Sequence, residues 1–138
     1  MRFTLIISIL ALFLAPISIA NEGSPIHQIS KLIDHLKSDD TSTALQTFFS
    51  DSLMTLQKPE QIRAMDAQAQ GAWQFYGAPT EFEISDTQEI GDSLMRVRWL
   101  TKHNDEIPLF WNVLFYRRHD KWEPLNIIFF DDPVKAGF

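Results

Sequence analysis

The hydrophobic period of this chain changes once, at Pro79, and that change limits the folds open to it. Before Pro79, apolar residues recur at intervals of three and four, which is typical of amphipathic helices. After Pro79, apolar and polar residues alternate, which is typical of half-buried strands. A group of helices followed by a group of strands predicts an α+β domain with the helices packed on one sheet.

Three helices are predicted before the change of period. The first covers 25–38, with Ser24 as its N-cap and a proline in its first turn. The second is short, and its inward residues are Leu45, Phe48 and Phe49. The third begins at Pro59, and Gly77 is expected to end it.

Four strands and three tight turns are predicted after Pro79, which makes an antiparallel meander. The third strand, 109–116, and the fourth, 122–130, are apolar on both faces. An antiparallel sheet that packs on helices usually has one face in water. Strong curvature around a core, a ligand or another subunit is therefore expected to cover the second face.

Residues 1–20 have the features of a secretory signal peptide. Arg2 supplies the positive start, and an apolar stretch of about ten residues follows, too short for a bilayer that needs ~20. The small residue Ala20 suits signal peptidase. We expect cleavage before Asn21 and export to the periplasm or the medium. The mature chain, 21–138, is then one domain without an integral membrane segment.

The composition narrows the classes of partner and of chemistry. The chain has no cysteine, so a disulfide framework and a lipoprotein anchor are excluded, and core burial must hold the domain together. Twelve basic and 18 acidic residues give a net charge of −6. An acidic chain without a basic cluster in its sequence is a poor candidate for nucleic acid or anionic lipid.

The layout and three short motifs resemble the NTF2-like superfamily, whose members have a cone-shaped α+β fold. The motifs are LKSDD at 36–40, FFSD at 48–51 and RRHDKW at 117–122. The similarity spans nearly the whole mature chain. It implies three N-terminal helices packed on a curled four-stranded antiparallel sheet.

The superfamily includes ketosteroid-isomerase-like and polyketide-cyclase-like (SnoaL-like) enzymes, a dehydratase, and many non-catalytic binding or dimerisation domains. In the isomerase-like members a general-base Asp follows the second motif, whereas here that position falls near Gln57. The leading hypothesis is therefore a non-catalytic binding domain. The alternatives are an isomerase-, cyclase- or lyase-type enzyme, for which Asp51 and Asp86 are the carboxylates to test, and an immunity- or inhibitor-type protein.

Large aromatic residues could converge where the third helix crosses the sheet, either as core or as the wall of a small-molecule pocket. The predicted ligand-binding residues are Trp73, Tyr76, Arg98, Trp99, Trp111, Asn112 and Phe115. A one-residue slip in hairpin register would move Arg98 or Asn112 to the opposite face. The expected partner is a small apolar molecule or an envelope protein, and the apolar outer face of the sheet predicts a homodimer.

The histidines are interpreted as solvated side chains, His27 and His35 on the first helix and His103 and His119 in turns. The first two lie roughly 12 Å apart along a helix axis, too far for one metal ion without a third element. The sequence contains no nucleophile elbow, phosphate-binding glycine loop or zinc-protease motif. We therefore predict neither a metal nor a cofactor.

Overall fold

The structure, a computed structural model, describes residues 23–38, 40–104 and 106–138. The predicted signal peptide, 1–20, and the cleavage site before Asn21 lie outside the described residues. The described helices are α1 (Pro25–Lys37), α2 (Thr41–Phe49), α3 (Leu53–Gln57) and α4 (Pro59–Tyr76). The described strands are β1 (Glu81–Ile90), β2 (Leu94–His103), β3 (Glu106–Arg118) and β4 (Lys121–Phe130). Within these residues, no helix is both long and apolar enough to cross a membrane.

The predicted ends of the long helices are confirmed, and each has a local cause. The Ser24 hydroxyl accepts a hydrogen bond from the backbone N–H of His27 at 3.3 Å, and Pro25 occupies the first turn. Helix α4 begins at Pro59. It ends at Gly77, whose φ of 76° suits glycine better than any other residue.

Helix α3 is absent from the sequence-based prediction, which treats residues 50–52 only as the end of the second helix. Ser52 instead begins a new helix, because its hydroxyl accepts from the N–H of Met54 at 3.1 Å. A second cap comes from Glu123 on β4, whose carboxylate accepts from the N–H of Leu53 at 2.9 Å. That partner lies 70 positions away, so no local pattern announces it.

The sheet is the predicted antiparallel meander, with strand order β1-β2-β3-β4. The β2–β3 register places Trp99 opposite Trp111 and Arg98 opposite Asn112. The boundaries predicted around the second turn were wrong. Strand β3 spans Glu106–Arg118 and not 109–116, and β2 continues to His103, which is fully buried and not a solvated turn residue. The alternation that brings Trp99 inward continues for four more positions, and His103 is its last member.

The core lies between the helices and the inner face of the sheet. Strands β2, β3 and β4 direct alternate side chains inward, and helices α1, α2 and α4 supply the opposite layer. The largest fully buried side chains include Trp99, Trp111, Phe49 and Phe115. Burial of aromatic side chains on this scale is the main stabilising contribution open to a domain without disulfides.

The chain's own C-terminal segment, residues 131–138, covers part of the outer face of the sheet. Asn112 donates a hydrogen bond to the carbonyl oxygen of Ala136 at 3.0 Å, and Arg98 donates to that of Gly137 at 2.5 Å. The ring of Phe138 packs edge-on against Phe110 at 5.2 Å. Intramolecular covering was not among the explanations drawn from the sequence, because it depends on a chain reversal after β4.

Candidate functional site

The structure brings four of the predicted ligand-binding aromatics together where α4 meets the sheet. Trp73 packs edge-on against Trp111, with ring centroids 5.9 Å apart, and Trp111 stacks on Trp99 at 5.6 Å. These three indoles are at most 5% exposed. Tyr76 lies at the edge of the group, and its hydroxyl donates to Asp131 at 2.9 Å. The group is packed core, although the buried N–H of Trp99 has no acceptor among the described residues.

The other three predicted ligand-binding residues lie apart from these rings. Phe115 is buried at the far end of the inner face, where it contacts Phe48 at 6.0 Å. Arg98 and Asn112 lie on the outer face and bind the C-terminal segment. Arg98 also binds Asp86, one of the two carboxylates proposed for testing. The structure therefore does not bring the predicted polar residues to the aromatic group.

A buried polar network, which the sequence analysis missed, supports the aromatic group. The Thr101 hydroxyl accepts from the indole N–H of Trp111 at 2.9 Å and bonds to Nε2 of His103 at 2.8 Å. Nδ1 of His103 lies 2.8 Å from the carbonyl oxygen of Gly77. A carbonyl only accepts, so Nδ1 carries the proton and Nε2 accepts from Thr101. Burial lowers the pKa of His103, which keeps the ring neutral.

A cleft of about 1020 Å³ opens on another side of the molecule, and we call it the hairpin cleft. It lies between α1, α2, residues 50–52 and the β3–β4 hairpin. Its floor is apolar and is formed by Leu32, Ala44 and Phe48, each less than 10% exposed. Trp122, half-buried, forms part of the wall beside the hairpin. The rest of the lining is mostly polar or charged, so the cleft combines a small apolar area with many polar groups.

The rim of the hairpin cleft is basic, in a chain whose net charge is −6. Its cationic side chains are Lys31, Arg117, Arg118 and Lys121, and His35 and His119 lie beside them. Its carboxylates are Asp51, Asp120 and Glu123. Glu123 is neutralised by Arg118, whose Nε lies 2.5 Å from the carboxylate. The expectation that the chain has no basic cluster therefore holds for the sequence but not for this surface.

Specific contacts fix the hairpin against the helices. The side-chain amide of Gln28 on α1 donates to the carbonyl oxygen of Trp122 at 2.8 Å. Two residues, His119 and Asp120, form the turn with φ values of 49° and 60°. Positive φ at both central positions defines a type I′ turn, whose twist matches that of the strands. The contact with Gln28 thus holds the turn end of the hairpin against α1.

The two carboxylates proposed for testing cannot act in one site. Asp51 lines the hairpin cleft and is exposed, whereas Asp86 is bound to Arg98 on the outer face. Gln57, near which the resemblance implies a general base in the isomerase-like members, is the last residue of α3 and is exposed. The cleft thus offers one exposed carboxylate from α2–α3, hydroxyl groups and cations, an arrangement suited to binding.

The helices packed on a curled antiparallel sheet define an NTF2-like fold, as the resemblance implies. The structure is similar to the "Putative NTF2-like transpeptidase" of Campylobacter jejuni, with a TM-score of 0.54 and 19% identity. That match covers 75% of this chain and 99% of the other. An NTF2-like protein of unknown function from Shewanella oneidensis MR-1 matches with a TM-score of 0.52 and 12% identity, over 75% and 93% of the two chains. No protein-family model and no curated protein matches the sequence. At sequence identities this low, the similarity supports a shared fold but not a shared function.

Proposed function

We propose that this domain is a non-catalytic binding protein that holds a small, largely apolar molecule in the hairpin cleft. The observation that carries the proposal is the cleft itself, an open space of about 1020 Å³ with a buried apolar floor. The aromatic group beside α4 is an unsuitable alternative, because Trp73, Trp99 and Trp111 fill the space between helix and sheet. A ligand there would first have to separate packed rings.

The rival hypothesis, an isomerase-, cyclase- or lyase-type enzyme, needs an acid or base tuned by its surroundings. Side chains with perturbed pKa values, such as His103 and Tyr76, lie outside the hairpin cleft. The pKa of Tyr76 is raised because its hydroxyl binds the Asp131 carboxylate. These groups serve the packing of α4 and the C-terminal segment, which favours the binding hypothesis.

Native mass spectrometry of protein purified from its own host tests this proposal. Thr47→Trp fills the cleft, because Thr47 lies on its wall and is exposed. Thr43→Trp is the matched control, since Thr43 is exposed on the same helix but does not line the cleft. We expect a small-molecule adduct on wild type and Thr43→Trp and none on Thr47→Trp. An adduct on all three, or on none, contradicts the proposal.

The same preparation addresses export, which we also propose. The support is the sequence of residues 1–20 and the short apolar stretch within it. N-terminal sequencing of protein from the exported fraction is expected to begin at Asn21. A first residue of Met1 would exclude cleavage.

A protein partner on the outer face of the sheet is the second candidate, and a second copy of the chain is its simplest form. The C-terminal segment covers Asn112 and Phe110, whereas Leu114, Tyr116 and Ile128 remain half-buried on the same sheet. Half-buried apolar side chains on one face of the sheet favour a self-complementary interface. An envelope protein on this face is the other possibility, and an immunity- or inhibitor-type role would use the acidic surface.

A further inference from the structure

We infer that the hairpin cleft takes an amphipathic anion, with a carboxylate or phosphate head at the basic rim and an apolar body on the floor. The inference rests on the proposed function, in which this cleft is the ligand site. It adds a chemical class to the apolar molecule proposed there.

The charges around the cleft favour an anionic head group. Lys31 comes from α1, whereas Arg117 and Lys121 come from the two strands of the hairpin. All three side chains are exposed, and none forms an ion pair within the part of the chain that the structure describes. The guanidinium of Arg117 lies over the Trp122 ring, 5.6 Å from its centre. An anion at the rim would thus meet cations from both sides of the cleft.

Arg118 differs from these three cations because it already has an ion-pair partner. Its guanidinium is occupied by Glu123, a carboxylate only 7% exposed, which also caps α3. This pair is structural and adds no net charge to the rim. The three cations outside this pair remain available, and the exposed carboxylates of Asp51 and Asp120 lie at the same cleft, which leaves a small positive excess there.

The floor of the cleft favours a ligand with an apolar body. The accessible apolar surface comes from the half-buried Trp122 and from the edge of Phe48, which is 8% exposed, whereas Leu32, 1% exposed, adds almost none. A ligand that is charged throughout would gain nothing from this surface, and an uncharged ligand would gain nothing from the rim. A polyanion would meet the acidic remainder of the protein, whose net charge is −6. A small molecule with one charged end satisfies both features.

The test follows the indole N–H signal of Trp122 in ¹H–¹⁵N spectra of the labelled protein, assigned with Trp122→Phe. The probes share a ten-carbon chain and differ in their heads: decanoate, decyl phosphate, decanol and decyltrimethylammonium. The charged probes are used below their micelle concentrations and decanol below its solubility. We expect both anions to bind about tenfold more tightly than decanol, and the cation most weakly. Added salt should weaken the binding of the two anions but not that of decanol.

Charge variants complete the design. We expect the double variant Lys31→Gln, Lys121→Gln to bind decanoate about tenfold more weakly than wild type and to bind decanol with unchanged affinity. Lys135→Gln is the control, because Lys135 is exposed on the C-terminal segment and lies outside the cleft. Tighter binding of decyl phosphate would assign a phosphate head, and tighter binding of decanoate a carboxylate head.

The outcomes test the anionic head group separately from the use of the cleft as a ligand site. Equal affinity for decanol and decanoate, or no effect of the double variant, overturns the inferred anion but leaves the cleft as an apolar site. Preferential binding of decyltrimethylammonium overturns it as well. If no probe moves the Trp122 signal, the hairpin cleft is not a site for such molecules, and both the inference and the proposed function fail.

Discussion

Nδ1 of His103 lies 2.8 Å from the carbonyl oxygen of Gly77, so the last residue of β2 is tied to the residue that ends α4. The other ring nitrogen is bonded to Thr101, and the ring packs edge-on against Trp73 at 5.6 Å. The imidazole is therefore buried, neutral and hydrogen-bonded on both sides. Its protonation would place an uncompensated charge between helix and sheet.

This contact predicts a pH dependence of stability. Burial lowers the pKa of His103 in the folded protein below the ordinary value near 6.5, so the unfolded chain binds the proton more readily. Stability is therefore fully present above about pH 6.5 and is lost as the pH falls toward the pKa of the folded state. Urea denaturation at pH 7.5, 6.5 and 5.5 measures the effect.

His103→Gln separates this contribution from that of the other histidines. We expect the variant to be less stable at pH 7.5 but to lose less stability on acidification than wild type. His119→Gln is the control, because His119 is exposed in the hairpin turn. The assignment to His103 is wrong if His103→Gln and wild type lose the same free energy of unfolding.

A second prediction concerns Glu123, whose carboxylate joins three elements. It accepts from the N–H of Leu53 at 2.9 Å and pairs with Arg118 at 2.5 Å. Its removal leaves the half-buried Arg118 guanidinium without its carboxylate and the N–H of Leu53 without this acceptor, although Ser52 still caps α3. We expect Glu123→Ala to lower the free energy of unfolding by about 2–3 kcal/mol.

Chemical denaturation checks this value, and Glu60→Ala is the matched control. Glu60 pairs with Arg63 on the exposed surface of α4, where water screens the interaction. The control should leave the denaturation midpoint almost unchanged. Similar losses for the two variants would contradict the role given to Glu123.

The β3–β4 turn gives a third prediction, of increased stability. His119 and Asp120 both adopt positive φ, which costs free energy for residues with a side chain. Asn-Gly is the preferred pair in a type I′ turn. Replacing His119-Asp120 with Asn-Gly should raise the free energy of unfolding by about 1 kcal/mol. A decrease on urea denaturation would show that the two side chains make contacts worth more than the backbone conformation costs.

The proposed homodimer gives a fourth prediction. Leu114 lies on the outer face of β3, between Arg96 and Asn126 in the register of the sheet. Leu114→Glu should convert a dimer to a monomer with little loss of helix and strand signal, as measured by light scattering and circular dichroism. Leu56→Glu is the control, since Leu56 is 79% exposed on α3. A monomeric wild type, or a dimeric Leu114→Glu, removes the outer face as an interface.

Local signals in the sequence were sufficient for most of the fold. The change of period at Pro79, the cap at Ser24 and the stop at Gly77 act within a few residues of where they stand. The missing element, α3, has a local cap, Ser52, which the prediction assigned to the end of the second helix, and a second cap from Glu123, which is distant in the chain. Nonlocal partners of this kind leave no periodic signal.

The site was less predictable for the same reason. Lys31 and Lys121 are 90 positions apart, and they become neighbours of one cleft only when α1 packs against the hairpin. Arg98 and Asn112 share a face, but it is the outer one, and register alone decides this. The aromatic residues were found by type, whereas their close packing as core follows from geometry that the sequence does not display.

A crystal structure of the protein grown with decanoate tests the central claim most directly. We predict that the carboxylate lies within ion-pairing distance of Lys31, Arg117 or Lys121, with the alkyl chain along Phe48. Decanoate bound on the outer face of the sheet, or between Trp73 and Trp111 with the hairpin cleft empty, would contradict it.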